Sequence, residues 1–262
     1  MLQVNFSRFG RPGKIGRLDE GETVPHIRHR LFVCLAALAV SSAVFAGSPV
    51  QLQAGPPFAK ANARLPRIVS PATPATARIN AAFDKLDARW AEFMRGCPKG
   101  GETGRIVAVT MTGPQYFSVV VSDSEDCGGA HPDASTLALV YDLSTGKPVD
   151  WKTLLGPRAG LSTSLDTVID GTRSGMFASA PLQALYLKSL KATIHDKEWW
   201  GNCGDVFADP LSFVVWPDTK KHALVLQPAL AHVVQACAED GAIGADDLRK
   251  IGASGKLVDA LR

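Results

Sequence analysis

The sequence lacks the short signatures that most often betray an enzyme or a metal module. It has no Gly-x-Ser-x-Gly elbow, no His-Glu-x-x-His and no Gly-x-x-x-x-Gly-Lys-Ser/Thr loop, which lowers the expectation of catalysis. It has no Cys-x-x-Cys, so zinc ribbons and thioredoxin-type redox centres are not expected. No internal repeat is present, and 17 Pro and 24 Gly among 262 residues are too few for a collagen-like or linker-dominated chain. Net charge is also scarce: 28 basic against 25 acidic side chains leave +3, too little for a nucleic-acid protein unless concentrated in one place. What is present is a 46% hydrophobic composition, enough to build a core.

The surplus charge sits in residues 1–46, which hold six basic and three acidic side chains; the remainder holds 22 of each. There, His26-Ile27-Arg28-His29-Arg30 precedes an apolar run from Leu31 to Val40, and Ser41-Ser42-Ala43-Val44-Phe45-Ala46 comes next. A basic end, a short apolar stretch and a small-residue stop form the pattern of a secretory signal peptide, with cleavage expected after Ala46. The apolar stretch is shorter than the roughly 20 residues of a spanning helix, and no later stretch approaches that length. No stable membrane span is expected after cleavage, and the expected location is periplasmic or secreted. With Cys34 removed, Cys97, Cys127, Cys203 and Cys237 remain, an even number suited to an oxidising compartment.

Residues 47–75 are rich in Ala and Pro and read as an extended linker. Residues 76–262 read as one α+β domain in which a mainly antiparallel sheet packs with helices. Ile79, Phe83, Leu86, Trp90 and Phe93 recur at helical spacing, predicting a helix from about Thr76 to Met94 with a core-facing stripe. Arg105–Met111, Tyr116–Ser122 and Thr136–Asp142 read as strands, the first two joined by the turn Thr112-Gly113-Pro114-Gln115. Helices are expected at about Leu165–Ile169 and Leu182–Ile194. Leu211–Trp216 and Ala223–Gln227 form a second hairpin, and a short helix lies near Asp246–Ile251.

The hairpins constrain the cysteines. Facing residues of an antiparallel pair have residue numbers that add to a nearly constant value. A turn between 113 and 114 gives about 227, and Cys97 with Cys127 adds to 224. A turn between 218 and 219 gives about 437, and Cys203 with Cys237 adds to 440. The expected disulfides are therefore Cys97–Cys127 and Cys203–Cys237.

The densest polar segment is Asp123-Ser124-Glu125-Asp126-Cys127-Gly128-Gly129-Ala130-His131-Pro132-Asp133. It reads first as a binding surface or structured turn, with Gly128 and Gly129 permitting positive φ and the carboxylates of Asp123, Glu125, Asp126 and Asp133 solvated. Two other readings compete with that one. In one, His131 joins Asp126 or Glu125 as a metal site; in the other, the same groups act as an acid/base pair of a cell-wall hydrolase. No second ligand cluster is evident, so neither a metal nor a cofactor is assigned, and no residue is assigned a catalytic role. His195, His222 and His232 read as structural or solvated, and Asp246-Asp247 as the acidic first turn of a helix. Trp199-Trp200 offers either packing over a disulfide or one indole free for a ligand.

This segment and the stretch beyond it as far as Leu155 resemble the extracellular RsiV-type domain of lysozyme-sensing anti-sigma factors and of accessory regions in some peptidoglycan deacetylases. The residues that carry the resemblance are Gly128-Gly129-Ala130-His131-Pro132, then Leu139 to Lys147 with Tyr141-Asp142-Leu143-Ser144-Thr145-Gly146-Lys147, then Trp151-Lys152-Thr153-Leu154-Leu155. It covers roughly residues 76–252. The resemblance implies an α+β fold and a recognition role outside the membrane, with a lysozyme-like enzyme as the kind of partner that sensing members bind. Residues 1–30 lack the amphipathic helix of a sigma-binding segment, so sigma regulation is not expected here. The expectation is a binding module for a basic, cell-wall-associated protein or for peptidoglycan, since an acidic surface speeds encounter with a basic partner.

Overall fold

The apolar stripe becomes the buried face of a long helix. The computed structural model describes residues 49–262 apart from 60, 130, 170 and 171, and describes no side chains within 163–175. The leader, Cys34 and Ala130 lie outside these residues. Two short strands, β1 (Gln51–Gln53) and β2 (Arg67–Ser70), pair antiparallel ahead of helix α1 (Pro74–Gly96). Thr73 caps α1: its hydroxyl accepts from the Thr76 amide while the Thr76 hydroxyl accepts from the Thr73 amide, and Pro74 opens the first turn. Ile79, Phe83, Leu86 and Trp90 are buried along one side of the helix.

That side rests on a four-stranded antiparallel sheet of β3 (Glu102–Thr112), β4 (Tyr116–Asp126), β5 (Asp133–Asp142) and β6 (Lys147–Pro148), in that order. Strand alternation divides its side chains between two cores. Phe117, Val119, Val121, Leu139 and Tyr141 meet α1, with Phe83 at 5.9 Å from Phe117 and 5.7 Å from Tyr141 between ring centres. Tyr116, Val120, Ala138 and Val140 point the other way, into a larger core. Ser118 is fully buried on that side, where the Thr110 hydroxyl lies 2.8 Å from its own, so the polar pair satisfies itself.

The larger core is closed by a five-stranded antiparallel sheet. Helix α2 (Trp151–Leu155) leads into β7 (Ser162–Ile169) and β8 (Thr172–Ala178). Helices α3 (Ala180–Thr193) and α4 (Lys197–Cys203) come next, then β9 (Ser212–Asp218), β10 (Ala223–Pro228) and β11 (Gly241–Gly244). The strand order is β11-β10-β9-β8-β7. Strand β9 packs against β3, β4 and β5, and α3 packs on β11 through its buried Leu182, Tyr186 and Leu190 face. The layers thus run helix, sheet, sheet, helix, and two short helices, α5 (Ala245–Lys250) and α6 (Gly255–Ala260), complete the chain. Tyr186 lies 5.0 Å from Phe213 and donates to the Glu239 carbonyl; burial, with Glu239 and Asp240 nearby, raises its phenol pKa above the ordinary tyrosine value. Among the described residues, no helix is long and apolar enough to cross a membrane.

The α+β class with antiparallel sheets is the one expected, and both disulfides pair as expected: Cys97–Cys127 and Cys203–Cys237, each with an S–S distance of 2.00 Å. Three readings are corrected. Residues 49–75 are not an extended linker: Val50, Leu65 and Ile68 are buried, and the Leu65 amide donates to the buried Asp87 carboxylate. The segment Leu165–Ile169 is strand, not helix. Thr163, Thr167, Val168 and Ile169 are β-branched and favour extended backbone, and β8 supplies a partner for the ladder. Asp123 to Asp126 belong to β4 itself, so the connecting turn spans only residues 127–132.

The Tyr-Asp-Leu-Ser-Thr-Gly-Lys stretch has a structural explanation. One Asp142 oxygen accepts from the amides of Ser144 and Thr145, and the Asp142 carbonyl accepts from the Gly146 amide, closing the turn after β5. Gly146 adopts φ +68°, and a Cβ there would collide with the Ala75 carbonyl at the start of α1. Gly146→Ala is therefore expected to cost about 2–4 kcal/mol of stability in urea denaturation. A change below about 0.5 kcal/mol would show that this turn does not dock on α1 so closely.

Candidate functional site

The acidic segment lies where β4 and β5 extend beyond the apolar core. The register continues through Asp123↔Ser135 and Glu125↔Asp133, so these side chains continue the row that carries Val119 and Val121 toward α1. Here the last turns of α1 replace aliphatic packing with aromatic and charged groups. Trp90 is buried; Phe93, expected in the core, is 39% exposed and stacks on Trp90 at 5.1 Å between ring centres. Phe93 lies in the last turn of α1, at the edge of a pocket rather than over the apolar rows of the sheet.

Arg105 of β3 organises this end. Its Nε and Nη2 donate to the two Asp123 oxygens, both at 2.7 Å, while its guanidinium carbon lies 4.1 Å from the Trp90 ring centre. Arg105 is buried, and its Nη1 has no hydrogen-bond acceptor among the described residues; the contact with the indole face offsets part of that cost. The Trp90 Nε1 donates to Asn62 Oδ1, and Asn62 Nδ2 donates to the Thr103 carbonyl. The backbone of Arg105 is itself held by Ala61 and Ala63. A buried polar network therefore joins residues 61–63, α1, β3 and β4. Its central charge pair follows the register of the first hairpin, since 105 and 123 add to 228, close to the value expected of facing residues; what the sequence did not show is that Trp90 covers the pair.

Of the carboxylates expected to form a binding surface, Asp123 is thus neutralised by Arg105. Glu125, Asp126 and Asp133 have no ion-pair partner among the described residues, and neither does Glu102, which β3 adds to the group. They border two openings. A pocket of about 180 Å³ lies between Trp90 and Phe93 on one side and Asp123, Glu125, Asp133 and Ser135 on the other. A wider cleft of about 500 Å³ is lined by Glu102, Glu125, Asp126, Asp133, His232 and Gln235, among others.

The turn after β4 is anchored at its start. Cys127 is bonded to Cys97, which caps the C-terminal end of α1, and Gly128 has φ +88°. Gly129 is next, and a Cβ there would meet only the His131 carbonyl, at 3.6 Å. His131 is exposed and forms no hydrogen bond with Glu125 or Asp126 among the described residues. Its ring instead lies 5.9 Å from that of His232, at an interplanar angle of 88°. His232 begins a short 3-10 turn, His232–Cys237. Gln235 in that turn donates to the Ala134 carbonyl of β5 at 2.9 Å, and Cys237 bonds Cys203. His232 gave no signal in the sequence because it lies 101 residues from His131; only the packing of the two sheets brings the imidazoles together.

The remaining candidates are structural in their contacts. Trp199 stacks on Phe207 at 5.7 Å, and Trp200 Nε1 donates to the Ile194 carbonyl, so both half-buried indoles are engaged beside Cys203. Asp247 in the first turn of α5 binds Lys188 and Lys250, which lower its pKa. His195 comes just after α3, and His222 takes φ +48° in the turn between β9 and β10. Among the described residues, no three His, Cys, Asp or Glu side chains form a ready metal cage.

No family model matches the chain, and no curated protein matches it. A solved structure, that of a member of the DUF3298 family from Bacteroides fragilis, matches with a TM-score of 0.42 and 14% identity. The match covers 70% of this chain and 68% of that one.

Proposed function

We propose that this chain is an exported binding module of the RsiV type that recognises a basic protein of the cell wall, with a lysozyme-like enzyme as the first candidate. The observation that carries this reading is the open end of the four-stranded sheet. There Glu102, Glu125, Asp126 and Asp133 line a cleft of about 500 Å³ and have no counter-charge among the described residues. A field of one sign in a cleft raises the encounter rate with a partner of the opposite sign. The adjoining pocket, walled by Phe93, adds an apolar surface for the stem of a lysine or arginine side chain. Export is supported by the leader pattern and by two disulfides, which persist in oxidising compartments.

Calorimetric titration with lysozyme at low and moderate salt tests the reading. Binding that weakens with salt is expected, because exposed charges are screened over about 10 Å at 0.1 M. Neutralising Glu125→Gln, Asp126→Asn and Asp133→Asn together is expected to weaken binding about tenfold or more, mainly through the association rate. Absence of heat at either salt from a folded sample would remove lysozyme as the partner. Binding to purified peptidoglycan in its place would transfer the cleft to a glycan. Turnover of peptidoglycan that is lost in His131→Ala would establish the hydrolase instead.

A further inference from the structure

We propose that His131 and His232 form a binding site for a first-row transition-metal ion, copper(II) or zinc(II), at the mouth of the acidic cleft. The geometry comes first. Zinc–imidazole bonds are about 2.0–2.1 Å, which places each ring centre roughly 3.2 Å from the ion. Two imidazoles on one ion therefore have centres about 5.2 Å apart at a tetrahedral angle and about 6.4 Å apart when opposed. The observed 5.9 Å falls inside that interval. Both side chains are exposed, so each is free to turn a ring nitrogen toward a shared ion.

The pair is also held in place by its supports. His131 lies four residues after Cys127 of one disulfide, and His232 lies five residues before Cys237 of the other. The Gln235–Ala134 hydrogen bond ties the two segments directly. An ion that bridges the imidazoles therefore has side-chain rotation to fix, but not two independent backbone segments to bring together.

Ligand chemistry selects the class of ion. Imidazole nitrogens suit copper, zinc and nickel, whereas calcium and magnesium require oxygen cages. The four cysteines of the described chain are all in disulfides and offer no thiolate. No third His, Cys, Asp or Glu side chain among the described residues stands close enough to complete a cage. The pair thus supplies two ligands and solvent the rest, which makes an exchangeable site with open positions. Glu125, Asp126 and Asp133 nearby raise the local concentration of cations without being ligands. Copper(II) is expected to bind more tightly than zinc(II), in keeping with the usual order of divalent ions.

The test uses the full, untagged chain carrying His26→Gln, His29→Gln and Cys34→Ser, so that His131, His195, His222 and His232 are the remaining histidines and no free thiol competes for the ion. With one equivalent of copper(II), paramagnetic resonance is expected to show coupling to two nitrogens, and calorimetry with zinc(II) to show one site. Loss of outer-shell partners alone costs about 10–100-fold in metal affinity, so His131→Gln and His232→Gln should each weaken binding at least tenfold. His195→Gln and His222→Gln should change nothing, and circular dichroism should be the same for all variants. One-site binding that survives the His131→Gln/His232→Gln double variant would overturn the proposal. So would a wild-type affinity no greater than that of the double variant, or calcium binding as tight as zinc, which would put the ion on the carboxylates. None of these results depends on lysozyme binding.

Discussion

Replacing Asp123 by alanine should destabilise the protein by about 3–5 kcal/mol, the usual cost of stripping one partner from a buried ion pair. Arg105 is 7% exposed and its guanidinium cannot shed its proton, so the variant leaves a full positive charge in the interior. Water does not reach it freely, because Trp90 covers one face and residues 61–63 hold its backbone. The midpoint of urea unfolding should fall with little change in slope, the sign of lost stability rather than altered compactness. Removing both charges should be far milder: Arg105→Met with Asp123→Leu is expected to recover most of the loss, since apolar groups of similar volume often replace a buried pair at little cost. A single-variant effect below about 1 kcal/mol would mean that Arg105 is solvated in solution. Because Asp123 also borders the small pocket, its role in stability has to be measured before any binding defect of the variant is read.

The second large effect concerns the disulfides. Cysteines separated by 34 residues close a loop whose constraint on the unfolded chain is worth about 4 kcal/mol in the chain-entropy model, and a separation of 30 gives nearly the same. The two bridges should nonetheless differ in effect. Cys203 and Cys237 are buried at the edge of the larger core, whereas Cys97 and Cys127 are half-buried at the open end of the sheet. Cys203→Ala/Cys237→Ala should therefore cost more than Cys97→Ala/Cys127→Ala, since it also removes packing. At about 2–4 °C per kcal/mol for a domain of this size, the buried pair should lower the melting temperature by roughly 8–16 °C. Calorimetry on each double variant checks the order. Equal shifts would show that only the unfolded chain feels the bridges.

The difference between the two bridges also bears on the cleft. One secures the turn carrying His131 and the other the turn carrying His232, so each double variant loosens one wall of the same opening. Loss of Cys97–Cys127 should thus impair partner binding more than its stability cost suggests.

Much of this architecture was readable from local pattern. The stripe on α1, the two hairpins and the β10 segment announced themselves by period, and the hairpin arithmetic placed both disulfides because antiparallel register is a local property. The failures share a cause as well. Leu165–Ile169 carried too short an apolar pattern to separate helix from strand, and the ladder with β8 decided it. Residues 49–75 looked like a tail because Pro and Ala dominate them, yet three scattered apolar side chains suffice to bury the segment against α1 and β3. Phe93 sits in register with its stripe but beyond the apolar rows of the sheet, so periodicity alone could not place it at a pocket edge.

The missing motifs lowered the expectation of catalysis, and residues 1–46 account for the whole of the net positive charge. By itself the sequence determined the class of fold, the cysteine pairing and the acidic character of the β4–β5 segment, all of which depend on residue type and short-range spacing. Only the tertiary structure decided which of those carboxylates are free. It covered the Arg105–Asp123 pair with Trp90, left Glu125, Asp126 and Asp133 without a counter-charge among the described residues, and set His131 beside His232 across 101 residues of chain. The physical reason is that ion pairing and burial are properties of neighbours in space. Two sheets packed face to face create neighbours that no local period in the sequence records.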